Sequence, residues 1–286
     1  MAEFVDRWWS SSDGLRLHAR DYAGAGGDAR LPVICIHGLT RNARDFEDVA
    51  PPIAAGGRRV LALDVRGRGL SDRAGDPATY QVPTYAGDVL ALMDALGMRR
   101  AVFIGTSMGG LITMALSALA PARVAAGLLN DVGPELHPAG IARIAGYAGK
   151  PAVLDNWDAA AAYAERTNGA AFPGRDAAFW TAFARRTLAA ADGLPVLCYD
   201  PAIASAVAPG AAVPDLWPLF AAFAAGRPIA LVRGAISDLV TADIAAKMRA
   251  AAPHLAVTDV PNVGHAPMLD EPEARRAIAR FLDMAP

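Results

Sequence analysis

The chain has 286 residues, 53% of them hydrophobic, and a formal net charge of -2 at pH 7. This length is common for one α/β domain with an insertion, and the apolar content can form a large core. The charges are scattered without basic stripes or long acidic blocks, so the composition argues against nucleic acid and anionic membranes as partners and leaves a small-molecule substrate as the expected one.

The N-terminal residues predict an antiparallel hairpin at the edge of a sheet. Residues 4–10 and 15–22 are strand-like, and the turn sequence Ser-Ser-Asp-Gly separates them. Acidic and aromatic residues occupy the start, where a signal peptide would need a basic segment and an apolar stretch. No run in the chain is long and apolar enough to cross a bilayer, so we expect a soluble, cytoplasmic protein.

Buried strands and helices then alternate along the chain. Short apolar runs of the kind that form parallel strands lie at residues 32–36, 59–63, 101–104 and 124–129. Helical stretches separate several of them, and the one at 84–96 stops at Gly97, as a helix should. The alternation predicts an α/β fold with a doubly wound, mostly parallel sheet, which we expect to have eight strands.

The alternation fails between about Gly133 and Gly226. Alanine-rich helical segments follow one another there, at residues 157–166, 176–191 and 215–225. A strand-like run at residues 194–199 lies between the second and the third. The sequence therefore predicts a helical insertion. Of the two cysteines, Cys35 lies in a predicted buried strand and Cys198 in the insertion, and we expect both to be free thiols.

A candidate nucleophile precedes the insertion. Ser107 lies between the apolar run 101–104 and the helical run 111–119, with Gly105 and Gly109 two positions to either side. A nucleophile elbow requires this order of strand, tight turn and helix, and a Cβ atom at either glycine would crowd the neighbouring backbone. The pattern is short and also occurs where a glycine-rich strand ends in an exposed serine, so it needs partners.

Two residues further along the chain supply those partners. Asp238 follows the apolar run 228–232, and His265 follows the run 255–260. The chain order Ser, Asp, His is the one expected of a nucleophile-elbow enzyme, and both residues fall in loops beyond the carboxyl ends of predicted strands. We expect His265 to take the proton of Ser107 during attack on a carbonyl, and Asp238 to orient the imidazole.

Asp131 is an alternative acid. It follows the run 125–129, and some hydrolases carry their acid after the strand that follows the nucleophile helix. Asp238 could instead cap or precede the helical run that begins at Thr241. We expect Asp238 to be the acid because it follows the penultimate predicted strand, and Asp131 to be a loop or hinge residue.

Together these features resemble the α/β-hydrolase family over nearly the whole chain. The resemblance also includes His37-Gly38-Leu39 after the first buried run, the segment 61–72 and the ending 264–272. It implies an oxyanion hole formed by the backbone N–H groups of Leu39 and Met108.

The resemblance also implies how the chain is divided. Residues 134–226 would form a helical cap over the active site, inserted in a core of residues 1–133 and 227–286. Asp64 and Arg66 are expected to stabilise loops around the site rather than to take part in chemistry.

The predicted function is hydrolysis of a small or medium carboxylic ester, with neither metal nor cofactor. A serine at the elbow excludes relatives that open epoxides or displace halides, because those use an aspartate there. One alternative is hydrolysis of a lactone or of a carbon–carbon bond in a ring-fission diketone, which a cap arginine directed at Ser107 would favour: Arg143, Arg166, Arg185 or Arg186. The other is a ligand receptor on the same fold. Spacing identifies neither the pocket-lining side chains of the cap nor the oligomeric state.

Overall fold

The computed structural model describes residues 3–27, 30–207 and 214–286. Its strands, in chain order, are β1 Val5–Ser10, β2 Arg16–Tyr22, β3 Val33–Ile36, β4 Val60–Asp64, β5 Ala101–Thr106, β6 Val124–Asn130, β7 Leu188–Ala191, β8 Leu194–Leu197, β9 Ile229–Gly234 and β10 Ala256–Val260. Eight strands form one sheet in the order β1-β2-β4-β3-β5-β6-β9-β10. Strand β2 pairs antiparallel with β1 and β4, and the other strand pairs of this sheet are parallel, so the prediction of an eight-stranded, mostly parallel sheet is confirmed.

The α-helices of the described ranges are α1 Ala50–Ala55, α2 Val82–Ala95, α3 Met108–Leu119, α4 Pro138–Ala145, α5 Trp157–Asn168, α6 Ala177–Thr187, α7 Trp217–Ala224, α8 Ala242–Ala251 and α9 Pro272–Met284. Within these ranges no helix combines the length and apolarity that a membrane span needs.

Each face of the sheet packs against its own layer of helices. Successive side chains of a strand point to opposite faces, and the buried clusters follow that rule. Ile34 of β3 belongs to a cluster with Leu92 of α2 and Ile112 of α3, whereas the next residue, Cys35, belongs to a cluster with Phe281 of α9. The strands are buried on both faces, which explains their continuous apolar sequences.

The predicted helix over residues 176–191 is wrong at its end. Helix α6 stops at Thr187, and the following residues form β7, which pairs with β8 as a separate two-stranded hairpin. The turn contains Asp192 and Gly193, with φ angles of 50° and 80°. An Asp-Gly pair between two apolar runs favours a tight hairpin, and this signal overrides the alanine-rich helical pattern.

Helix α7 lies in the predicted insertion but packs against the sheet. Phe220 and Phe223 share a buried cluster with Met114 of α3 and Ile229 of β9. A Cβ atom at Gly127 of β6 would lie 2.3 Å from the ring of Phe223. The parts of the insertion that border the carboxyl edge of the sheet are α4, α5 and α6.

The loops with the candidate site residues all leave the carboxyl ends of strands. Leu39 follows β3, Ser107 follows β5, Asp131 follows β6, Asp238 follows β9 and His265 follows β10. Because these strands are parallel, all five residues emerge at one edge of the sheet, where ligands bind in open α/β folds.

Candidate active site

Ser107 occupies a strained turn between β5 and α3. Its backbone has φ 51° and ψ -116°, which a residue with a side chain adopts only when its surroundings enforce it. A Cβ atom at Gly105 would lie 2.4 Å from the backbone of Gly109, and one at Gly109 would lie 2.0 Å from the carbonyl oxygen of Ile36. Both glycines therefore allow a backbone approach that any other residue would prevent.

Ser107 and His265 line the same cavity, which has a volume of about 50 Å³. Loops of the core form one wall, and Ile144, Tyr147 and Asn168 from the insertion border it. No hydrogen bond joins Ser107 Oγ to His265 in the structure. Such contacts are often long without substrate and tighten when it binds.

The imidazole of His265 binds Asp131. Nδ1 of His265 lies 2.8 Å from Asp131 Oδ2, and Asp131 is completely buried. The same carboxylate accepts a hydrogen bond from the backbone N–H of Gly234 at 2.9 Å and one from the Ser237 hydroxyl at 2.6 Å. These contacts fix the carboxylate and, through it, the orientation of the imidazole ring.

Asp238 forms no hydrogen bond or ion pair with His265, in contrast to the prediction from sequence, although the two groups lie near enough for the charge of His265 to help lower the pKa of Asp238. Its carboxylate forms a two-point ion pair with Arg143 of α4, with N···O distances of 2.6 and 2.8 Å. Burial alone would raise the pKa of Asp238, but the hydrogen bonds and charge of Arg143 outweigh it and lower the pKa. The prediction that Asp238 orients the imidazole therefore needs correction: the carboxylate in contact with His265 is Asp131.

The loop after β9 explains this difference. The hydroxyl of Ser237 accepts hydrogen bonds from the backbone N–H groups of Leu239 at 3.1 Å and Val240 at 3.0 Å. This turn directs Ser237 toward Asp131, while the adjacent Asp238 faces the insertion. Ser237 thus holds the carboxylate of Asp131, whereas Arg143 holds that of Asp238.

Asn130 connects the serine turn to the histidine loop, a role that the sequence analysis missed. Its carbonyl accepts the backbone N–H of Ser107 at 2.9 Å, and its side-chain nitrogen donates to Thr106 Oγ1 at 3.0 Å and to the carbonyl of Pro267 at 2.8 Å. Asn130 is completely buried. The only sequence signal was its position at the end of β6, next to Asp131.

The two backbone donors expected to form an oxyanion hole belong to residues next to Ser107 and in the loop after β3. Met108 is the first residue of α3, where the helix dipole favours negative charge. Leu39 follows Gly38, and a Cβ atom at Gly38 would lie 3.6 Å from Ser107 Cβ. Neither N–H group donates to another group in the described part of the chain. The positions suit stabilisation of a negative oxygen beside Ser107.

His37 supports the loop that contains Leu39. Its Nε2 accepts the backbone N–H of Val65 at 3.1 Å, so Nδ1 carries the proton and donates to the carbonyl of Gly38 at 2.7 Å. Complete burial lowers the pKa of His37, which favours the neutral ring. His37 therefore has a structural role beside the site.

Arg68 is buried behind both candidate oxyanion donors. Its Nε donates to the carbonyl of Leu39 at 3.0 Å, and its Nη2 lies 3.5 Å from Met108 Sδ. Nη1 donates to the hydroxyl of Tyr85 at 3.0 Å. Within the described ranges no carboxylate lies at ion-pair distance from Arg68, and burial lowers its pKa. Arg68 therefore places a buried cation beside Leu39 and Met108.

Asp64 and Arg66 form structural contacts outside the cavity lining. Asp64 accepts the backbone N–H groups of Ala43 at 2.7 Å and Leu70 at 3.0 Å, and so joins two loops. Arg66 forms a two-point ion pair with Asp88 of α2, with both distances 2.6 Å. These contacts agree with the structural role expected for the pair.

The four arginines that the sequence analysis placed in a predicted cap do not line the cavity with Ser107. Their partners lie elsewhere: Asp238 for Arg143, the ring of Tyr163 for Arg166, the ring of Trp157 for Arg185, and Glu47 with Asp48 for Arg186. The arginine that does line the cavity, Arg41, comes from the loop after β3. Among the described residues, no cluster of three or more His, Cys, Asp or Glu side chains could hold a metal ion.

The similarity to known proteins extends over both the strands of the core and the loops with the candidate site residues. The family described as alpha/beta hydrolase fold matches residues 32–272. A 3-hydroxybutyrate-oligomer hydrolase of Cupriavidus necator is 39% identical over 276 residues, which span 92% of each chain. The crystal structure of an alpha/beta hydrolase from Novosphingobium aromaticivorans is 48% identical, with a TM-score of 0.92 over 100% of both chains. The structure of an E-2-(acetamidomethylene)succinate hydrolase is 26% identical, with a TM-score of 0.82 over 98% of this chain and 100% of that one.

Proposed function

This chain belongs to the α/β-hydrolase family, and we propose that it is a serine hydrolase that cleaves carboxylic esters through an acyl-enzyme on Ser107. One observation carries the proposal. His265 Nδ1 lies 2.8 Å from the buried Asp131 carboxylate, and His265 shares a cavity with Ser107. A serine near an imidazole that is itself oriented by a carboxylate is the arrangement that activates a hydroxyl nucleophile.

The first half of the reaction forms the acyl-enzyme. Ser107 Oγ attacks the carbonyl carbon of the ester as His265 Nε2 takes the hydroxyl proton. The tetrahedral oxyanion accepts hydrogen bonds from the backbone N–H groups of Leu39 and Met108. The intermediate collapses when the C–O bond to the alcohol breaks and His265 returns its proton to the departing oxygen. Asp131 stabilises the imidazolium between these two transfers.

The second half restores the enzyme. Water loses a proton to His265 and attacks the acyl carbon, and the same two backbone donors stabilise the second oxyanion. The bond to Ser107 Oγ then breaks, and His265 returns the proton to the serine. The products are one carboxylic acid and one alcohol, and the cycle needs only the side chains already in place and water.

The relative from Cupriavidus supports an ester as the scissile bond. It is named for 3-hydroxybutyrate oligomers, which consist of hydroxy acid units joined by ester bonds, and it aligns with 92% of this chain. We infer that this chain acts on a small-molecule ester of similar size.

As a further part of the proposal, residues 134–226 act as a cap on a core of residues 1–133 and 227–286. The contact between the N–H of Gly264 and the carbonyl of Ala171, at 2.7 Å, joins this cap to the histidine loop.

Ser107→Ala tests the proposal directly. We expect it to abolish multiple turnover of 4-nitrophenyl butyrate, whereas Ser12→Ala, at an exposed serine of the β1–β2 turn, should retain wild-type turnover. Intact-mass measurement after mixing with a slowly deacylating ester should show one acyl group on the wild type and none on Ser107→Ala. Full turnover by Ser107→Ala would refute the proposal, and labelling without turnover in the wild type would favour a receptor.

A further inference from the structure

The cavity at Ser107 has a cation that no step of the proposed reaction uses. Among the described residues that line it, the side chains with a permanent charge are Arg41 and Asp45. Both follow β3 and therefore belong to the core sheet rather than to the insertion. Arg41 contributes neither to the His265–Asp131 pair nor to the oxyanion donors, so its position at the reacting serine requires a separate explanation.

Protein groups accept hydrogen bonds from only some of the N–H groups of the Arg41 guanidinium. Nε donates to both oxygens of Asp45, at 2.9 and 3.0 Å. Nη2 lies 3.1 Å from Met268 Sδ, and Nη1 has no hydrogen bond to any group in the described ranges. A thioether is a weak acceptor, so the two terminal nitrogens keep hydrogen-bond donors for a ligand.

The guanidinium is also held in place near the serine. Its Cζ lies 4.5 Å from the centroid of the Phe183 ring of α6, and Asp45 fixes its other side. A Cβ atom at Gly38 would lie 3.6 Å from Arg41 Cγ and 3.6 Å from Ser107 Cβ, so both side chains flank the same glycine. A fixed fork of N–H donors matches the geometry of a carboxylate.

A second cavity of about 30 Å³ continues past Arg41 beneath the insertion. It shares Thr40, Arg41, Tyr147 and Asn168 with the first cavity, so Arg41 lies at their junction. Its remaining walls combine the hydroxyl side chains of Tyr163, Thr167, Thr187 and Tyr199 with the apolar side chains of Ala164, Phe183, Leu188 and Leu197. The second cavity therefore adds hydroxyl groups beside Arg41 that can contact the polar end of a ligand.

Building on the proposed ester hydrolysis, we propose that Arg41 binds a carboxylate of the substrate. The substrate class is then an ester with a free carboxylate a few bonds from the scissile carbonyl, such as a short oligoester of a small hydroxy acid. Asp45 already balances the charge of Arg41, which favours a monoanionic carboxylate over a dianion such as phosphate. Because Arg41 and Ser107 line one cavity of about 50 Å³, the carboxylate and the ester must lie close together on the substrate.

A matched pair of substrates tests the inference. The linear dimer of 3-hydroxybutyrate carries a free carboxylate, and its carboxamide has nearly the same size without the charge. We expect wild-type kcat/KM to be at least about tenfold higher for the acid, the effect of one hydrogen-bonded charge. Arg41→Gln should remove this preference, mainly by raising KM for the acid, and should change kcat/KM for the carboxamide and for 4-nitrophenyl butyrate much less.

Two further variants separate recognition from folding. Arg185→Gln removes the same charge from an exposed cap arginine that stacks on Trp157, and it should retain the preference for the acid. The double change Arg41→Gln with Asp45→Asn avoids an unpaired buried carboxylate, and it should lose the preference just as Arg41→Gln does. Equal loss of rate with acid and carboxamide would show that Arg41 only joins core and cap, and would overturn the inference.

Binding to Ser107→Ala provides a readout without turnover. Calorimetric titration with 3-hydroxybutyrate should show binding that Arg41→Gln abolishes in the same background, whereas 3-hydroxybutyramide should bind weakly to both. Ester turnover that requires Ser107 but shows no preference for the acid would overturn this inference and leave the proposed function standing. Absence of all ester turnover, with carboxylate binding that depends on Arg41, would overturn the proposed function instead.

Discussion

The imidazole of His265 and the carboxylate of Asp131 meet at 2.8 Å although 134 residues of sequence separate them. Asp131 has a φ angle of 54° and is completely buried, with a backbone N–H and a hydroxyl bound to the same carboxylate. A residue with a side chain holds such a conformation only when several contacts enforce it. The structure therefore holds the carboxylate that contacts His265 in a fixed position.

Asp131 and Asp238 should differ sharply on substitution. Asp131→Asn removes the charge that stabilises the imidazolium and allows the wrong tautomer, so kcat should fall by about 10⁴. Asp238→Asn should weaken the ion pair with Arg143 and leave kcat near that of the wild type. Steady-state kinetics with 4-nitrophenyl butyrate distinguish the two, and a larger loss with Asp238→Asn would contradict the assignment.

The elbow glycines offer a second comparison. Gly109→Ala places a Cβ atom 2.0 Å from a backbone oxygen, so we expect a loss of about 1–3 kcal/mol in unfolding free energy together with a loss of activity. Gly87→Ala has open space around it in α2 and should add about 0.5–1 kcal/mol, because alanine favours the helix. Urea titration measures both effects. An unaltered midpoint for Gly109→Ala would argue against the tight turn.

Arg68 should affect turnover through its charge. Arg68→Met removes a buried cation and leaves the carbonyls of Leu39 and Arg66 without this donor, so we expect a loss of about 1–3 kcal/mol in unfolding free energy. The positive charge behind the proposed oxyanion donors is also lost, so kcat should fall by roughly tenfold or more while KM changes little. Arg68→Lys keeps the charge and should recover part of kcat. Equal kcat values for Arg68→Lys and Arg68→Met would instead indicate a packing role.

His18 should make stability depend on pH. Burial alone would lower its pKa, but hydrogen bonds to Asp64 at 2.7 Å and to Asp6 at 2.9 Å outweigh burial and raise the pKa above 6.5. A raised pKa in the folded state stabilises the protein below pH 6.5, and this contribution is lost as pH rises through the folded pKa. As pH rises from 6.5 through the folded-state pKa of His18, the melting temperature of the wild type should therefore fall relative to that of His18→Gln. Parallel curves for the two proteins would show that His18 does not titrate there.

Local sequence patterns were enough to predict the elements that carry the chemistry. The strand before Ser107, the helix after it and the two flanking glycines occur within 19 residues, and each has a steric or periodic signature in the sequence. The hairpin of β7 and β8 also had a local signature, the Asp-Gly pair at 192–193, which the alanine-rich pattern obscured.

The acid could not be chosen from local patterns. Asp131 and Asp238 both follow a strand of the same parallel sheet, so their sequence contexts are equivalent at the level of strand and loop. Which carboxylate contacts His265 depends on the turn made by Ser237 and on the ion pair of Asp238 with Arg143, which lies 95 residues from Asp238 in the sequence. Contacts of that range have no signature in a single sequence.

The amino-acid sequence by itself determined the order of strands and helices and the position of the serine turn. It also indicated that several polar residues lie at one edge of a sheet. These features were readable because periodicity and glycine sterics act over a few neighbouring residues. Only the tertiary structure decided which carboxylate meets His265 and which arginine reaches the cavity, because these depend on loop directions and on partners distant in the chain. Asp131 and Arg41 were both present in the sequence, but the distances that distinguish them from Asp238 and the cap arginines exist only after folding.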